Sequence, residues 1–558
     1  CFFSSVAQNI NATLRQKFVS SIGATNEDQL GTALTVEGNV AVIGANYDDQ
    51  GGVDRGAIYI LGKDVGGSDN WGLIKKVING AGTNTANQTF INVGSANGDY
   101  FGFSVSISGN IIAVSAPVDN QSANNRGGAA YLLGKDVGGT DNWGLIKKLV
   151  NGPGTNTPTT TFININSGNF EFFGHSVSLL GSTLAVGSRY DSHGGSGRGA
   201  VYIFGKDIDG TDNWGLVKKV INGSGTNTSL LTFINVGSND GDNFGFSANF
   251  SGNVLAVGVP SDNQTGLGST GAVYLLSKDE GGTDTWGLAK KIINGTGTNT
   301  TNQSFTNLTT NSFDFFGAAI SLVGSTLAVG ARFDDQGGSD RGAVYIINKD
   351  MGGSNNWGVV KKVINGPGTN TAMLNFINIS SNTSDSFGYS VSISGNMVAI
   401  GAFSDDQGGA NRGAVYVLGK DKDGIDNWGL LKKIINGAGT NTADQTFINV
   451  GSNNNDLLGV VSLSGNTLAA GAFFDDQAGT NRGAAYLISL IQEGCNTDPI
   501  SLTEPITSGT VVYTGSQITA TNQISNADVT YTATQSVVLN PGFSATGNVF
   551  KAQIGGCN

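Results

Sequence analysis

Histidine is nearly absent from this 558-residue chain, occurring only at His175 and His193, both in one segment with no cysteine or nucleophile spacing around them. No triad or histidine-based metal set can therefore be read, and the expectation is a chain without catalytic residues. Cysteine is almost as scarce, at three residues, which excludes a disulfide framework. Cys495 and Cys557 bracket the C-terminal stretch and read either as one disulfide formed in an oxidising compartment or as two unpaired thiols. No apolar run reaches the ~18 residues a membrane-spanning helix requires. Charged residues are only 13% of the chain, and the balance is acidic at −12. That balance disfavours nucleic acid and anionic membrane as partners and leaves an extracellular glycan or protein.

Glycine is abundant instead, at 86 residues against 8 prolines, and it lacks a collagen period. Such a composition implies many tight turns between short strands. At the N-terminus, Cys1-Phe2-Phe3-Ser4-Ser5-Val6-Ala7-Gln8 reads either as the tail of a signal peptide cut before Gln8 or as a lipoprotein start with a lipid anchor on Cys1. Both readings place the protein in the secreted or cell-surface compartment.

Self-alignment gives a dipeptide at Leu30-Gly31, Phe101-Gly102, Phe173-Gly174, Phe244-Gly245, Phe316-Gly317, Phe387-Gly388 and Leu458-Gly459, spaced by 71 or 72 residues. Each copy continues with an alternating run such as Ser104-Val105-Ser106-Ile107, a Ser-Gly-Asn turn, and a small-apolar run such as Ile112 to Ala116. These are the two strands of a hairpin. Arg-Gly-Ala-Val-Tyr-Ile (Arg341 to Ile346) and Trp-Gly-x-x-Lys-Lys-x-Ile-Asn-Gly (Trp357 to Gly366) supply two more. A four-stranded sheet with strands apolar on both faces must be covered by neighbours, and radial packing into a propeller does this. Copy seven lacks the Trp-Gly-x-x-Lys-Lys strand, and a matching Leu14-Arg15-Gln16-Lys17-Phe18-Val19 precedes copy one. The N-terminal strand is therefore expected to complete blade seven and close the ring, leaving no open edge. Six tryptophans, Trp71, Trp143, Trp214, Trp286, Trp357 and Trp428, share one repeat position and are expected to pack between blades.

Phe-Gly followed by Gly-Ala-Pro-like segments resembles the FG-GAP repeat, the blade unit of the integrin α-subunit propeller and of many bacterial surface proteins. The resemblance implies a seven-bladed propeller, extracellular recognition and no intrinsic catalysis. Integrin-like blades often hold calcium on an Asp-x-Asp-x-Asp-Gly loop, but that loop here is a bare Ser-Gly-Asn turn, as at Ser108 to Asn110. The segment from Ile518 through Pro541-Gly542-Phe543 to Ile554 resembles the short stacked-β module of secreted Bacteroidota proteins, which implies surface attachment or display. The expected organisation is an N-terminal tail or signal remnant over 1–11, an all-β seven-bladed propeller over 12–492, and a small β-solenoid-like domain over 493–558.

Carboxylates recur in the loop between strands two and three. They form Asp48-Asp49, Asp119-Asn120, Asp191-Ser192, Asp262-Asn263, Asp334-Asp335, Asp405-Asp406 and Asp475-Asp476, expected to ring one mouth of the channel. Hard oxygen donors in this arrangement would suit Ca²⁺ or sugar hydroxyls. Equally, each Asp can cap its own turn and pair with the downstream Arg55, Arg126, Arg198, Arg341, Arg412 or Arg482. Blade four has Thr270 in place of that arginine, which makes Asp262 the expected free carboxylate. On the opposite face, Asp207, Asp209 and Asp212, and likewise Asp421, Asp423 and Asp426, space carboxylates around a turn and weakly suggest metal. The leading expectation is a binding or adhesion protein. The alternatives are a structural subunit of an extracellular assembly and a glycan hydrolase using the acidic face.

Overall fold

The computed structural model describes the chain apart from residues 1–9, 20–24, 69, 122–125, 166–167, 209, 211–212, 283–284, 309–310, 380–381, 423–426, 449, 452, 493–499, 508, 547–549 and 555–558. Every regular element it contains is a β-strand. Blade two shows the common plan. Strands Val105–Ser108, Ile111–Ala116, Ala129–Gly134 and Gly144–Asn151 form an antiparallel meander. A fifth strand, Thr160–Ile163, then runs parallel to the fourth along the outer edge. Blades one to six repeat this five-stranded order. Sequence reading expects four strands and an extra hairpin from the Phe-Ile-Asn segment. That segment instead returns along the blade by a long connection, which is what a parallel pairing needs.

Local chemistry sets these elements. The first hairpin turns on Gly109, whose φ of +58° at the first turn position is the conformation that favours glycine. Strands two and three carry small and β-branched residues on both faces and are buried throughout, as at Ile112, Ala113, Val114, Ala130, Leu132 and Leu133. Their side chains interleave with the next sheet: Ile58, Ile60 and Val77 of blade one pack with Val114, Tyr131, Leu133 and Trp143 of blade two. The phenylalanine of each Phe-Gly pair fills the joint, with Phe101 edge-on to Tyr131 at 5.0 Å. Gly128, at φ +89°, admits the backbone of Phe173 from the following blade where a Cβ would collide with its carbonyl oxygen.

The Ser-x-Ser-x-Ser pattern of the innermost strand has a role that alternation alone does not reveal. Ser104, Ser106 and Ser108 hydroxyls accept the backbone N–H groups of Val177, Leu179 and Gly181 in the next blade. Ser390, Ser392 and Ser394 do the same for Val461, Leu463 and Gly465. At these two joints the inner edge N–H groups are paired by side chains, since an unpaired edge N–H lining the channel would otherwise be open to pairing.

The ring closes as expected. The N-terminal strand Ile10–Phe18 pairs antiparallel with Ala484–Gln492, placing Lys17 opposite Tyr486. It forms the outer strand of the sheet made with Thr467–Ala472 and Leu458–Ser464. Serine bonds cross the joint too, from Val36 N–H to Ser462 and from Gly38 N–H to Ser464.

The C-terminal module is a stack of parallel strands. Ile500–Leu502, Gly509–Ala520, Ala527–Leu539 and Phe550–Ile554 form one sheet, with Val511 over Val529 over Phe550. Gln523–Ser525 and Ser544–Thr546 form a second. Its core contains Ile506, Ile518, Ile524, Val529 and Tyr531. The solenoid expectation holds, and two of its strands are long, at 12 and 13 residues.

Candidate functional site

The inner carboxylate of each Asp loop does not face the channel. Asp48, Asp119, Asp191, Asp262, Asp334, Asp405 and Asp475 are all at most 1% exposed. Each is held by the second lysine of the Lys-Lys pair of its own blade at 2.7–2.8 Å, namely Lys76, Lys148, Lys219, Lys291, Lys362 and Lys433 in blades one to six. In blade seven the lysine is Lys17 of the N-terminal strand, at 2.7 Å. The same carboxylates accept from the buried tyrosine of strand three, as Tyr131 to Asp119 at 2.9 Å and Tyr274 to Asp262 at 3.2 Å. They also accept the N–H two residues on, such as Gln121 to Asp119 at 2.9 Å. This overturns two expectations. The ion-pair partner is lysine rather than the downstream arginine, and Asp262 is not free despite Thr270. Strand four runs antiparallel to strand three, so its lysine side chain lies beside the loop that follows strand two. The first lysine is also turned inward: Lys147 Nζ donates to Pro158 O at 2.9 Å.

The outer loop residues close their own turns. Asp335, Asp406 and Asp476 each accept the N–H five residues on at 2.7 Å, and Asn120 accepts from Arg126 N at 2.6 Å. Asp49 accepts from Asp54 N at 2.8 Å, and Asn263 accepts from Asn239 Nδ2 at 2.6 Å. Asp335, Asp406 and Asp476 remain exposed on the loop face. The recurring arginine reaches into the next connection: Arg198 pairs with Asp240 at 2.7 Å, and Arg55 donates to Asn97 at 3.0 Å.

A second set of buried acids stands near the first, with no signal along the sequence beyond its recurrence. Asp28, Asp99, Glu171, Asp242, Asp314, Asp385 and Asp456 stand two residues before each Phe-Gly or Leu-Gly, a column that is acidic in all seven copies. All are at most 2% exposed. Each accepts a backbone N–H three residues earlier, and six also accept an Asn amide that ends strand four, as Asn79 to Asp99 at 3.2 Å. Burial, reinforced by the inner-loop aspartate nearby, pushes these carboxyls up, Asp99, Glu171, Asp314 and Asp385 to about 7 and Asp28, Asp242 and Asp456 to about 6. At Asp99, Asp242 and Asp385 one carboxylate oxygen and the Oδ1 of the adjoining Asn both lack a donor among the described residues. A proton on the acid would supply one.

These values fix a pH dependence. Folded-state values raised above the unfolded ~3.8–4.5 mean that the stabilisation is complete below that range and is lost as pH rises through 6 to 7. Thermal melts are expected to show a midpoint falling by roughly 5 °C or more between pH 5 and pH 8. Asp99→Asn combined with Asp242→Asn and Asp385→Asn supplies permanent donors and should flatten that slope. An unchanged slope in the triple variant would show that the ring does not carry the dependence.

The channel mouth is built from a different column, the residue after Phe-Gly or Leu-Gly: Thr32, Phe103, His175, Phe246, Ala318, Tyr389 and Val460. All seven line one cavity of about 520 Å³, with Asn46, Arg332 and Phe473 from the ends of second strands. The copies differ widely in this column, with six residue types at its seven positions, and that variance is its signal in the sequence. His175 lies between Phe103 and Phe246, with ring centroids at 5.3 and 4.6 Å. Its Nδ1 donates to Phe246 O at 2.8 Å. Burial and the neighbouring Arg189 push it down to about 3, so the ring is neutral at physiological pH.

Among the described residues no group of three or more His, Cys, Asp or Glu side chains is placed to hold a metal. Asp207 and Asp421 sit in turns at positive φ, and Asp209, Asp212, Asp423 and Asp426 lie outside the described residues, as do Cys1, Cys495 and Cys557. The tryptophans are buried as expected, none more than 5% exposed. No helix among the described residues is long and apolar enough to cross a membrane.

No curated protein sequence shows a significant match to the chain. Residues 13–61, 87–133, 166–204, 302–347, 380–418 and 451–488 each match the FG-GAP repeat, six segments that fall in every blade of the propeller except blade four.

Proposed function

We propose that this chain is a secreted or cell-surface binding protein without catalytic activity, using the loop face of a rigid propeller to recognise an extracellular glycan or protein. One observation carries the reading: the repeated inner-loop carboxylates are buried and paired within their own blades, whereas a column that varies from blade to blade converges on one open cavity. A rigid scaffold with variable residues at one mouth is how recognition sites are built. The exposed outer carboxylates Asp335, Asp406 and Asp476 border the same face. The C-terminal stack, with its likeness to Bacteroidota surface modules, would serve attachment. A hydrolase reading loses support because the inner carboxylates are buried in lysine pairs, while a glycosidase needs two acids that reach substrate.

Glycan arrays and pull-downs from extracellular matrix with the full chain test the proposal. Saturable capture of a defined glycan or protein is expected. Silence across both, with a constant partner found by native mass analysis in the source cells, would favour a structural subunit instead.

A further inference from the structure

Two arginines at the channel mouth are cations without anions. Arg189 and Arg332 follow the second strands of blades three and five. Each Nε is buried and has no hydrogen-bond partner, and neither guanidinium pairs with a carboxylate among the described residues. Aromatic rings hold them in place. Arg332 stands over Phe333 at 4.8 Å and Tyr389 at 5.6 Å, and Arg189 over Tyr190 at 4.6 Å, Phe246 at 5.6 Å and Phe172 at 5.7 Å. Such stacking orients a guanidinium but leaves its donor edge unsatisfied.

The surroundings make this a site. Arg332 lines the cavity, and Tyr389 and Phe246, on which the two guanidiniums stack, are among its walls. No Asp or Glu lines it. The nearest loop carboxylates in sequence, Asp191 and Asp334, are each neutralised by a buried lysine, at 2.8 and 2.7 Å. The mouth is therefore locally cationic in a molecule of net charge −12. Flat apolar rings alternate with hydroxyl-seeking groups: Gln29, Thr32, Asn46 and the unpaired Nε2 of neutral His175. Blades two and four carry Pro117 and Pro260 where the arginines stand, so the two cations are departures from the repeat rather than parts of its frame.

Resting on the binding reading above, we propose that this cavity takes a uronic acid unit of a saccharide, its carboxylate on the Arg332 guanidinium and its sugar ring against the aromatic wall. A fork of guanidinium donors matches a carboxylate, and the cavity volume suits one or two sugar units.

Calorimetry on the full chain with galacturonate, a galacturonate trimer, galactose and a galactose trimer tests this. The uronates should bind at least ~10-fold more tightly than their neutral counterparts. Arg332→Gln should remove that preference without moving the unfolding midpoint, and Arg332→Lys should restore part of it. A preference for the trimer over the monomer identifies a polymer as the source, and equal affinity a free sugar acid. Equal binding of uronate and neutral sugar, an unchanged preference in Arg332→Gln, or no binding of any of the four overturns the proposal. The same variants on the glycan array separate the two readings. Capture that survives in them leaves the binding function standing with its site elsewhere, whereas a wild-type chain that captures nothing removes both.

Discussion

Removal of residues 1–18 is expected to abolish the single cooperative unfolding transition of the propeller. The lost segment supplies the outer strand of blade seven and with it Lys17, whose Nζ lies 2.7 Å from Asp475 and 5.2 Å from the Tyr486 ring centroid. Asp475 has no exposed surface, so truncation leaves a buried carboxylate without its cation, and it uncovers Ile488 and Leu490, each only 1% exposed. An uncompensated buried charge and the opened apolar seam together cost about 5 kcal/mol or more. Urea unfolding followed by tryptophan fluorescence should show a broad, early transition. A synthetic peptide covering residues 10–19 added in trans should recover part of the lost midpoint, whereas a peptide with Met in place of Lys17 should recover less. A truncated chain that melts like the full one would mean that the ring is held without its N-terminal clasp.

Lys291→Met should be the most damaging single substitution in blade four. Lys291 is fully buried and meets Asp262 at 2.7 Å, Gln264 Oε1 at 2.6 Å and Val236 O at 2.9 Å. Removing only the cation strands Asp262, whose remaining donors are Tyr274 and the Gln264 N–H, and is expected to cost about 3–5 kcal/mol by chemical denaturation. Asp262→Asn in the same background removes the stranded charge and should return a large part of that loss. The pair discriminates sharply between readings of the loop acids. A ligand-binding aspartate would tolerate loss of Lys291 with little change in stability and a large change in binding. A structural one behaves in the opposite way, and a cost below ~1 kcal/mol would return Asp262 to the list of site residues.

The fold was legible because its determinants are periodic. Phe101, Gly102, the Ser-Gly-Asn turn and Trp143 recur at a fixed spacing, and the displaced copy of strand four at Leu14 to Val19 showed how the ends meet. The site was less legible, because a carboxylate's partner depends on which strands lie side by side rather than on sequence distance. Arg126 stands seven residues from Asp119 and was the obvious counter-ion, while Lys148, 29 residues away, holds it at 2.7 Å. Asp99 stands in the loop before Phe101, where an acid reads as solvated and only the packed structure reveals its burial. The channel wall was hidden for a further reason. Repetition marks the frame, whereas Phe103, His175, Phe246 and Tyr389 matter as the places where the repeat lapses.

The serine bonds along the inner strands have a consequence for how such a ring can change over time. Hydroxyls of blades two and six fasten the main chain of the next blade, so the attachment at those joints does not depend on the side chain that follows the Phe-Gly. The wall positions there can therefore be exchanged one at a time while the frame is inherited intact. New specificities can arise by trial at the mouth, much as a fixed lock body accepts different pins.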